Sequence, residues 1–345
     1  MGKDQREVQL NKWAVKQLAA RSITVSAGVP LVPASDDASF RRYFRFQKDA
    51  HPFVFVDAPP EAEDSRSFVA ISKYLTRAGL NAPVVYAVDY GLGFMMLSDL
   101  GDNLYLSALE ADEARGVDEA HSLYKDALDA LYSMQSIRGD LPDYDAALLQ
   151  LEMDLFPDWF LSKELRLGIS GDEKKMLGDV FQLMVENALQ QPQVFVHRDY
   201  HSRNLTVVDE NNPGILDFQD AVQGAVTYDL VSLLRDCYYK LPREEIEHWV
   251  YYFRSLLIEK RRIESVDKHL FMRWFDLMGL QRHLKCAGIF SRLHLRDGKL
   301  GYLGDIPLII RYMKEVCADY DDLNSFGVWL SESVEPRLNV ELFKR

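Results

Sequence analysis

FVHRDYHSRNL, residues 195–205, sets His197, Arg198, Asp199, His201, Arg203 and Asn204 between apolar ends. Phe195 and Val196 lead in, and Leu205 opens the run LTVVD. The flanks read as short buried strands and the polar centre as a tight loop. GILDF follows, and ENNP between LTVVD and GILDF has the make-up of a hairpin turn. The stretch is therefore a loop carried on strand ends, not a strand interrupted by charge.

Working outward, the N-terminal side is strand-rich. Residues 4–21 carry apolar side chains at helical spacing. Residues 30–58 read as short strands with a polar break at DDAS and a turn at KDAHP. SRSFVAISKYLTRAGL follows as a helix, with Ser65 or Ser67 as its cap and Gly79 as its stop. APVVYAVDYGLGFMMLSDLGD reads as two strands around Tyr90 and Gly91. From about residue 103 the pattern turns helical: 104–114, 121–137, 148–167, 172–190, and nearly everything from 228 to 320. The expected fold class is α+β, with a small antiparallel-sheet lobe over 1–100 and a larger, mainly helical lobe over 101–345. SDLGDN, residues 98–103, marks the boundary.

Composition narrows the function. The chain has 345 residues, 48% of them hydrophobic, and a net charge of −13. That balance argues against a nucleic-acid partner, whose first signature is a basic surface. Cys237, Cys286 and Cys317 lie far apart with no CxxC spacing, so neither a disulfide framework nor a zinc site is indicated and a cytoplasmic, reducing location is expected. No apolar run reaches 18 residues, so no membrane association is expected, and nothing points to an obligate protein partner.

The chemistry is in the spacing. Asn204 lies five residues after Asp199, and Asp217 in ILDFQDA lies thirteen beyond that, across the hairpin. In phosphoryl transfer one Asp orients a substrate hydroxyl and accepts its proton. An Asn and a second Asp then supply oxygen ligands for Mg²⁺, which keeps phosphate oxygens and water as its others. Taken singly, Asp199 and Asn204 suit a turn; the three together point to catalysis.

HRDYHSRNL followed by ILDFQDA resembles the kinase catalytic loop H-R-D-x-x-x-x-N with its metal-binding Asp. His201 and the form Asp-Phe-Gln-Asp make it more similar to the aminoglycoside phosphotransferase and choline kinase group. DASFRRYFR, VDAPPE and QRHLKCAGIFSRLHLRDGKLGYL further resemble the bacterial anomeric sugar kinases of cell-wall recycling, which phosphorylate N-acetylmuramate and N-acetylglucosamine at C1. The resemblance implies a two-lobed, protein-kinase-like fold. It also implies an ATP-dependent sugar kinase with Mg²⁺ as cofactor and an amino sugar as small-molecule partner. Asp199 matches the catalytic base, and Asn204 and Asp217 match the metal ligands. Met96 to Gly101, with Ser98 and Leu100, match the hinge that meets adenine. Asp36 to Arg42, with Ser39, match the loop over the nucleotide. His197 and Arg198 shape the catalytic loop, and Arg203 faces phosphates or substrate. Arg292, with Arg296 and Asp297, falls where related kinases bind the acceptor.

Two features depart from the pattern. Val56 and Asp57 stand where a kinase has Lys, and the helix SFVAISKYLTRAG has no Glu to pair with it. Arg41 or Arg42 is the expected substitute, and only one of them, since neighbours on a strand face opposite ways. DDASF also lacks glycine. An absent lysine leaves a nucleotide-binding pseudokinase as an alternative, and other acceptors (an aminoglycoside, a choline-like amine, an amino acid) are not distinguished by sequence. Elsewhere the bland reading leads. Asp220 caps a helix start, Asp229 is an N-cap or ties the metal loop, and His283 and His294 are packed or surface histidines. Tyr238, Tyr239 and the Trp249–Phe253 cluster are helical core.

Overall fold

A computed structural model of the chain describes residues 5–23, 25, 31–35, 40–48, 51–115, 120–338 and 343. The polar break DDAS, which contains Ser39, and the centre of the KDAHP turn lie outside them. In chain order the main elements begin with α1 (Gln5–Ala19), β1 (Val32–Ser35), β2 (Arg42–Lys48), β3 (His51–Asp57), α2 (Ser65–Arg77), β4 (Val85–Asp89) and β5 (Phe94–Ser98). Then come α3 (Tyr105–Arg115), α4 (Ala120–Met134), α5 (Ala146–Met153), α6 (Gly171–Gln190), β6 (Gln193–Val196), β7 (Leu205–Thr206), β8 (Gly214–Ile215) and β9 (Val222–Ala225). The chain finishes with α7 (Tyr228–Leu234), α8 (Arg243–Glu259), α9 (Lys268–Asp297), α10 (Ile306–Asp319) and α11 (Asn324–Trp329).

These elements form two compact units. The first holds Met1–Leu104 and Asn204–Asp220; the second holds Tyr105–Arg203 and Ala221–Arg345. The sequence reading put residues 204–220 with the helical part. Hydrogen bonds explain the difference: Val207 N donates to Asn103 O at 2.8 Å, and Ile215 N to Asn81 O at 2.7 Å.

In the first unit β1–β5 make one antiparallel sheet in the order β1-β2-β3-β5-β4. Side chains alternate across a strand, so Phe44, Phe46, Phe53, Phe55, Phe94 and Met96 share one face. They bury against Leu10, Trp13, Ala14 and Leu18 of α1, whose spacing puts them on one stripe. α2 is capped by Asp64, which accepts from Arg66 N at 2.8 Å, and not by Ser65 or Ser67. The short carboxylate reaches the free amides of the first turn, and Ser67 is engaged elsewhere. Gly93 is obligatory: at φ 71° its Cβ would fall 1.8 Å from Ala58 O.

The second unit is built around α9, 30 residues long and buried along most of its length. Residues 148–167 are not one helix. α5 ends at Met153, and Pro157 opens a π-helical segment, Phe156–Glu164. α6 carries a reciprocal cap that the reading missed: Ser170 Oγ accepts from Glu173 N while Glu173 accepts from Ser170 N. Strand β9 was also not anticipated; it pairs antiparallel with β6. Among the described residues no helix is long and apolar enough to cross a membrane.

Candidate active site

In the second unit, β6 ends at the buried Val196 and delivers the polar loop. The loop's entry is held by Asp229, at the start of α7. Its Oδ2 accepts from His197 N at 2.7 Å and its Oδ1 from Arg198 N at 3.0 Å. Asp229 thus ties the catalytic loop's backbone rather than capping its own helix, whose N-cap, Thr227, makes no side-chain bond. Burial drives the Asp229 carboxyl up to about 7, against these two amide bonds. Arg198 takes φ 77°, a conformation a non-glycine residue keeps only where its surroundings impose it.

The surroundings that impose it are charged and buried. Arg198 pairs with Glu152 of α5. Lys285 of α9 lies 3.1 Å from the same carboxylate and 3.2 Å from Tyr228 Oη. Tyr144 donates to the other Glu152 oxygen. Burial raises the Glu152 pKa, but Lys285 and Arg198 outweigh it and the carboxyl stays below its usual range. Asp199, half-buried, shows the same contest. Burial pushes its pKa up, yet Lys285, His201, Arg282 and Arg198 hold it at about 2. The lasting positive charges among these are Lys285 and Arg282 of α9 and Arg198 of the loop. At such a pKa Asp199 is ionised near neutral pH and a weak base, suited to aligning a hydroxyl and taking its proton late.

The loop's exit is fixed by Asp236, just after α7. Its Oδ2 accepts from Ser202 N at 3.0 Å and from Ser202 Oγ at 2.5 Å, and its Oδ1 from Tyr238 N at 3.0 Å. Arg203 therefore lies over Tyr238, its Cζ 3.7 Å from the ring centroid and 5.9 Å from that of Tyr302. Tyr238 is buried, as expected, but in a bend after α7 rather than in a helix, with Tyr239 beside it half-buried, and it carries this cation. Arg292, also on α9, is half-buried, and burial followed by the Arg296 charge lowers its pKa. Arg296 is exposed and pairs with Asp297 at 2.8 Å. His294 meets Glu164 at 2.8 Å, while His283 is fully buried and stacked on Tyr312. Trp249 is buried core.

The other two motif residues lie in the first unit. Leu216 N donates to Asn204 O at 2.9 Å, closing the β7–β8 hairpin. Asn204 Nδ2 then lies 3.4 Å from Asp217 Oδ2, and Gln219 Nε2 donates to Asp217 Oδ1 at 2.7 Å. Asp217 has φ 59°. An amide and a carboxylate side by side fit a hard cation that takes the rest of its oxygens from phosphate and water. Phe218 is buried against Phe68 of α2, ring centroids 4.7 Å apart, and Ser67 Oγ donates to Gln219 O at 2.5 Å. Asp220 opens no helix: a turn leads into β9.

The two arginines beside the missing lysine separate cleanly. Arg42 pairs in register with Asp57 across β2 and β3, and its Nε donates to Asp57 Oδ2 at 3.1 Å. Arg6 of α1 reaches Asp57 Oδ1 from the other side at 2.9 Å. Asp57 is fully buried on the α1-facing side of the sheet, an acid between two arginines, while its neighbour Val56 faces the other way. Arg41 points the other way. Its Nη2 meets Glu63 Oε2 at 2.8 Å, Glu63 Oε1 accepts from Phe40 N, and the guanidinium lies 6.0 Å from the Phe68 ring. The acid absent from the helix is found just before its cap. Ser98 ends β5 with its hydroxyl accepting from Val84 N at 2.8 Å, and Leu100 approaches Gly214.

The family model described as "Phosphotransferase enzyme family" matches residues 30–262. The chain belongs to this family. It is similar to the N-acetylmuramate/N-acetylglucosamine kinase of Pseudomonas putida, 43% identical over 335 residues, covering 95% of this chain and 97% of the relative. To the kinase of the same name from Neisseria meningitidis serogroup B it is 36% identical, with 96% of each chain covered. Among solved structures, choline kinase LicA from Streptococcus pneumoniae superposes with a TM-score of 0.61 at 9% identity, covering 90% of this chain and 100% of the other. The gentamicin complex of APH(2")-IIa does so with 0.59 at 13%, covering 94% and 99%. At such identities the structures establish the fold alone: the protein-kinase-like, two-lobed α+β architecture. The chain is an ATP-dependent kinase.

Proposed function

We propose that the protein transfers the γ-phosphoryl group of ATP to the anomeric C1 hydroxyl of N-acetylmuramate and N-acetylglucosamine. The observation that carries this reading is end-to-end identity of 43% with a relative of that name, with Asp199, Asn204 and Asp217 all in place.

Asp199 receives the acceptor hydroxyl as a carboxylate and aligns its oxygen for in-line attack. The proton moves to Asp199 as the bond from the sugar oxygen to the γ-phosphorus forms and the bond to the β–γ bridging oxygen breaks, ADP being the leaving group. An anomeric hydroxyl is more acidic than an ordinary alcohol, so a weak base can serve. Asn204 and Asp217 are the residues that would hold Mg²⁺, which when bound supplies positive charge against the phosphate oxygens. Arg41 serves the nucleotide phosphates, because Arg42 is committed to Asp57. The backbone of residues 96–101, including Ser98 and Leu100, meets the adenine edge, and Ser39 belongs to the loop over the phosphates.

Phosphorus NMR of the product from N-acetylmuramate and ATP tests the reading. The expected product gives a phosphate resonance coupled to the anomeric proton. A resonance coupled to another ring or exocyclic proton would overturn the site of transfer, and no transfer to either sugar would overturn the acceptor class.

A further inference from the structure

Arg203, like Arg262 and Arg292, is a half-buried arginine of the second unit with no ion pair among the described residues, and of these it is the one in the loop that carries Asp199. Arg198, Arg235 and Arg273 each meet a carboxylate. The Arg203 guanidinium, half-buried, makes no ion pair and no hydrogen bond among the described residues; it has only the rings of Tyr238 and Tyr302. This is a chain with 53 acidic side chains against 40 basic ones, so a leftover guanidinium is not explained by a shortage of carboxylates.

Its placement is also enforced. The Asp236 carboxylate that grips Ser202, the residue before it, is the one that grips the Tyr238 backbone. Tyr238 is backed by Phe290 at 6.1 Å and by His201 at 5.2 Å, and Phe290 also packs on Tyr302 at 5.2 Å. A guanidinium laid on a ring uses its π face there. Its N–H donors lie in the plane of the group and remain available at the edge, in the fork that matches a carboxylate.

The two sugars of the proposed function differ in just such a group: N-acetylmuramate carries a lactyl ether ending in a carboxylate, and N-acetylglucosamine a plain hydroxyl. Arg203 makes its side-chain contacts within the unit that holds Asp199, the hydroxyl-aligning carboxylate. We propose that Arg203 is the specificity-determining residue that receives the carboxylate of the acidic amino sugar, with Tyr238 and Tyr302 holding its guanidinium in place. The proposal rests on the reading of the chain as a kinase for both sugars.

The test is the ratio of kcat/KM for N-acetylmuramate to kcat/KM for N-acetylglucosamine, which is independent of the fraction of folded enzyme. In Arg203→Met the ratio falls by about 10- to 100-fold, the effect of removing a hydrogen-bonded charge partner. Arg203→Lys recovers part of it. In parallel, the wild-type enzyme is assayed with the lactyl carboxamide analogue of N-acetylmuramate; it loses the advantage of the acid, and Arg203→Met no longer tells acid from amide. An unchanged ratio in both variants overturns the proposal. So does an equal loss for both sugars with a raised KM for ATP, which assigns Arg203 to phosphate, or a selective loss that appears in Arg292→Met instead. A wild-type enzyme that phosphorylates neither sugar defeats the underlying reading, a result distinct from any of these.

Discussion

The loop after β6 and the β2–β3 strand pair both carry charged residues that the proposed function uses or surrounds, and they are secured in different ways. Around Asp199 the supporting groups are buried: Asp229, Glu152, Lys285 and Asp236 are each nearly inaccessible. Around Asp57 only the acid is buried, while Arg6 and Arg42 remain 31% and 38% exposed. Under the proposed function, each polar side chain of the loop has a particular atom of the reaction or of the loop's backbone to address. In the strands the requirement is for positive charge near phosphate, and charge can be supplied from several elements. A missing lysine therefore says less about activity than a missing Asp199 would.

The sharpest way to break this comparison is Asp199→Asn. The amide keeps the shape of the loop but can neither take a proton nor attract the hydroxyl as strongly. Steady-state kinetics should show kcat reduced by about 10²- to 10⁴-fold, the usual range for a positioned acid–base group, with KM for ATP within about threefold of wild type. Activity within tenfold of wild type would remove Asp199 from the chemistry and leave the loop no more specialised than the strands.

A second experiment divides the strand pair itself. Arg41→Ala should lower kcat/KM for ATP by about 10- to 100-fold, since a charge-assisted contact to phosphate is lost. Arg42→Ala should leave KM for ATP near wild type and instead lower stability by about 1–3 kcal/mol. That is less than the loss for a fully buried pair, because Arg42 is partly solvated and Arg6 still faces Asp57. Chemical denaturation alongside ATP kinetics reads both quantities. If the two variants behave alike, the Glu63 and Asp57 pairings do not separate a phosphate arginine from a structural one.

What the sequence disclosed follows the same division. HRDYHSRNL and ILDF were legible as a motif because its side chains sit at fixed separations on one continuous segment, and the α+β order was legible because strand and helix periodicities differ. The antiparallel sheet could be read from Phe44, Phe46, Phe53 and Phe55, which alternate. The partners could not be read. Arg6 finds Asp57 fifty-one residues away, and Arg198 finds Glu152 forty-six residues away, so no local pattern announces either pair. Glu63 escaped notice because it precedes the helix that was searched for an acid. Strand β9, VQGA, has little β-propensity of its own and exists because β6 offers it a ladder. Tyr238 read as core, and it is core; only the fold reveals that Arg203 rests on it.

The smallest predicted effect concerns acid, and it separates the two regions by how they are supported. His283, fully buried, donates from Nε2 to the Arg235 carbonyl at 3.1 Å, one residue from the Asp236 that fixes the loop's exit. Its Nδ1 is buried with no hydrogen-bond partner, so protonation would place an unsatisfied N–H and a charge in the core. Burial, with the nearby Arg282 charge, lowers its pKa from 6.5 to about 3. A group whose native pKa is depressed takes up its proton first in the unfolded state, so its contribution to stability is present above pH 6.5 and is lost as pH falls toward 3. The slope is at most about 1.4 kcal/mol per pH unit for one such group. His283→Asn removes the titration while keeping an N–H for the Arg235 carbonyl. The stability advantage of wild type over this variant, from urea unfolding, should therefore shrink between pH 6.5 and 4. An advantage for His283 that is constant with pH would mean that its ring contributes packing alone and that the loop's support carries no pH sensitivity from this side chain.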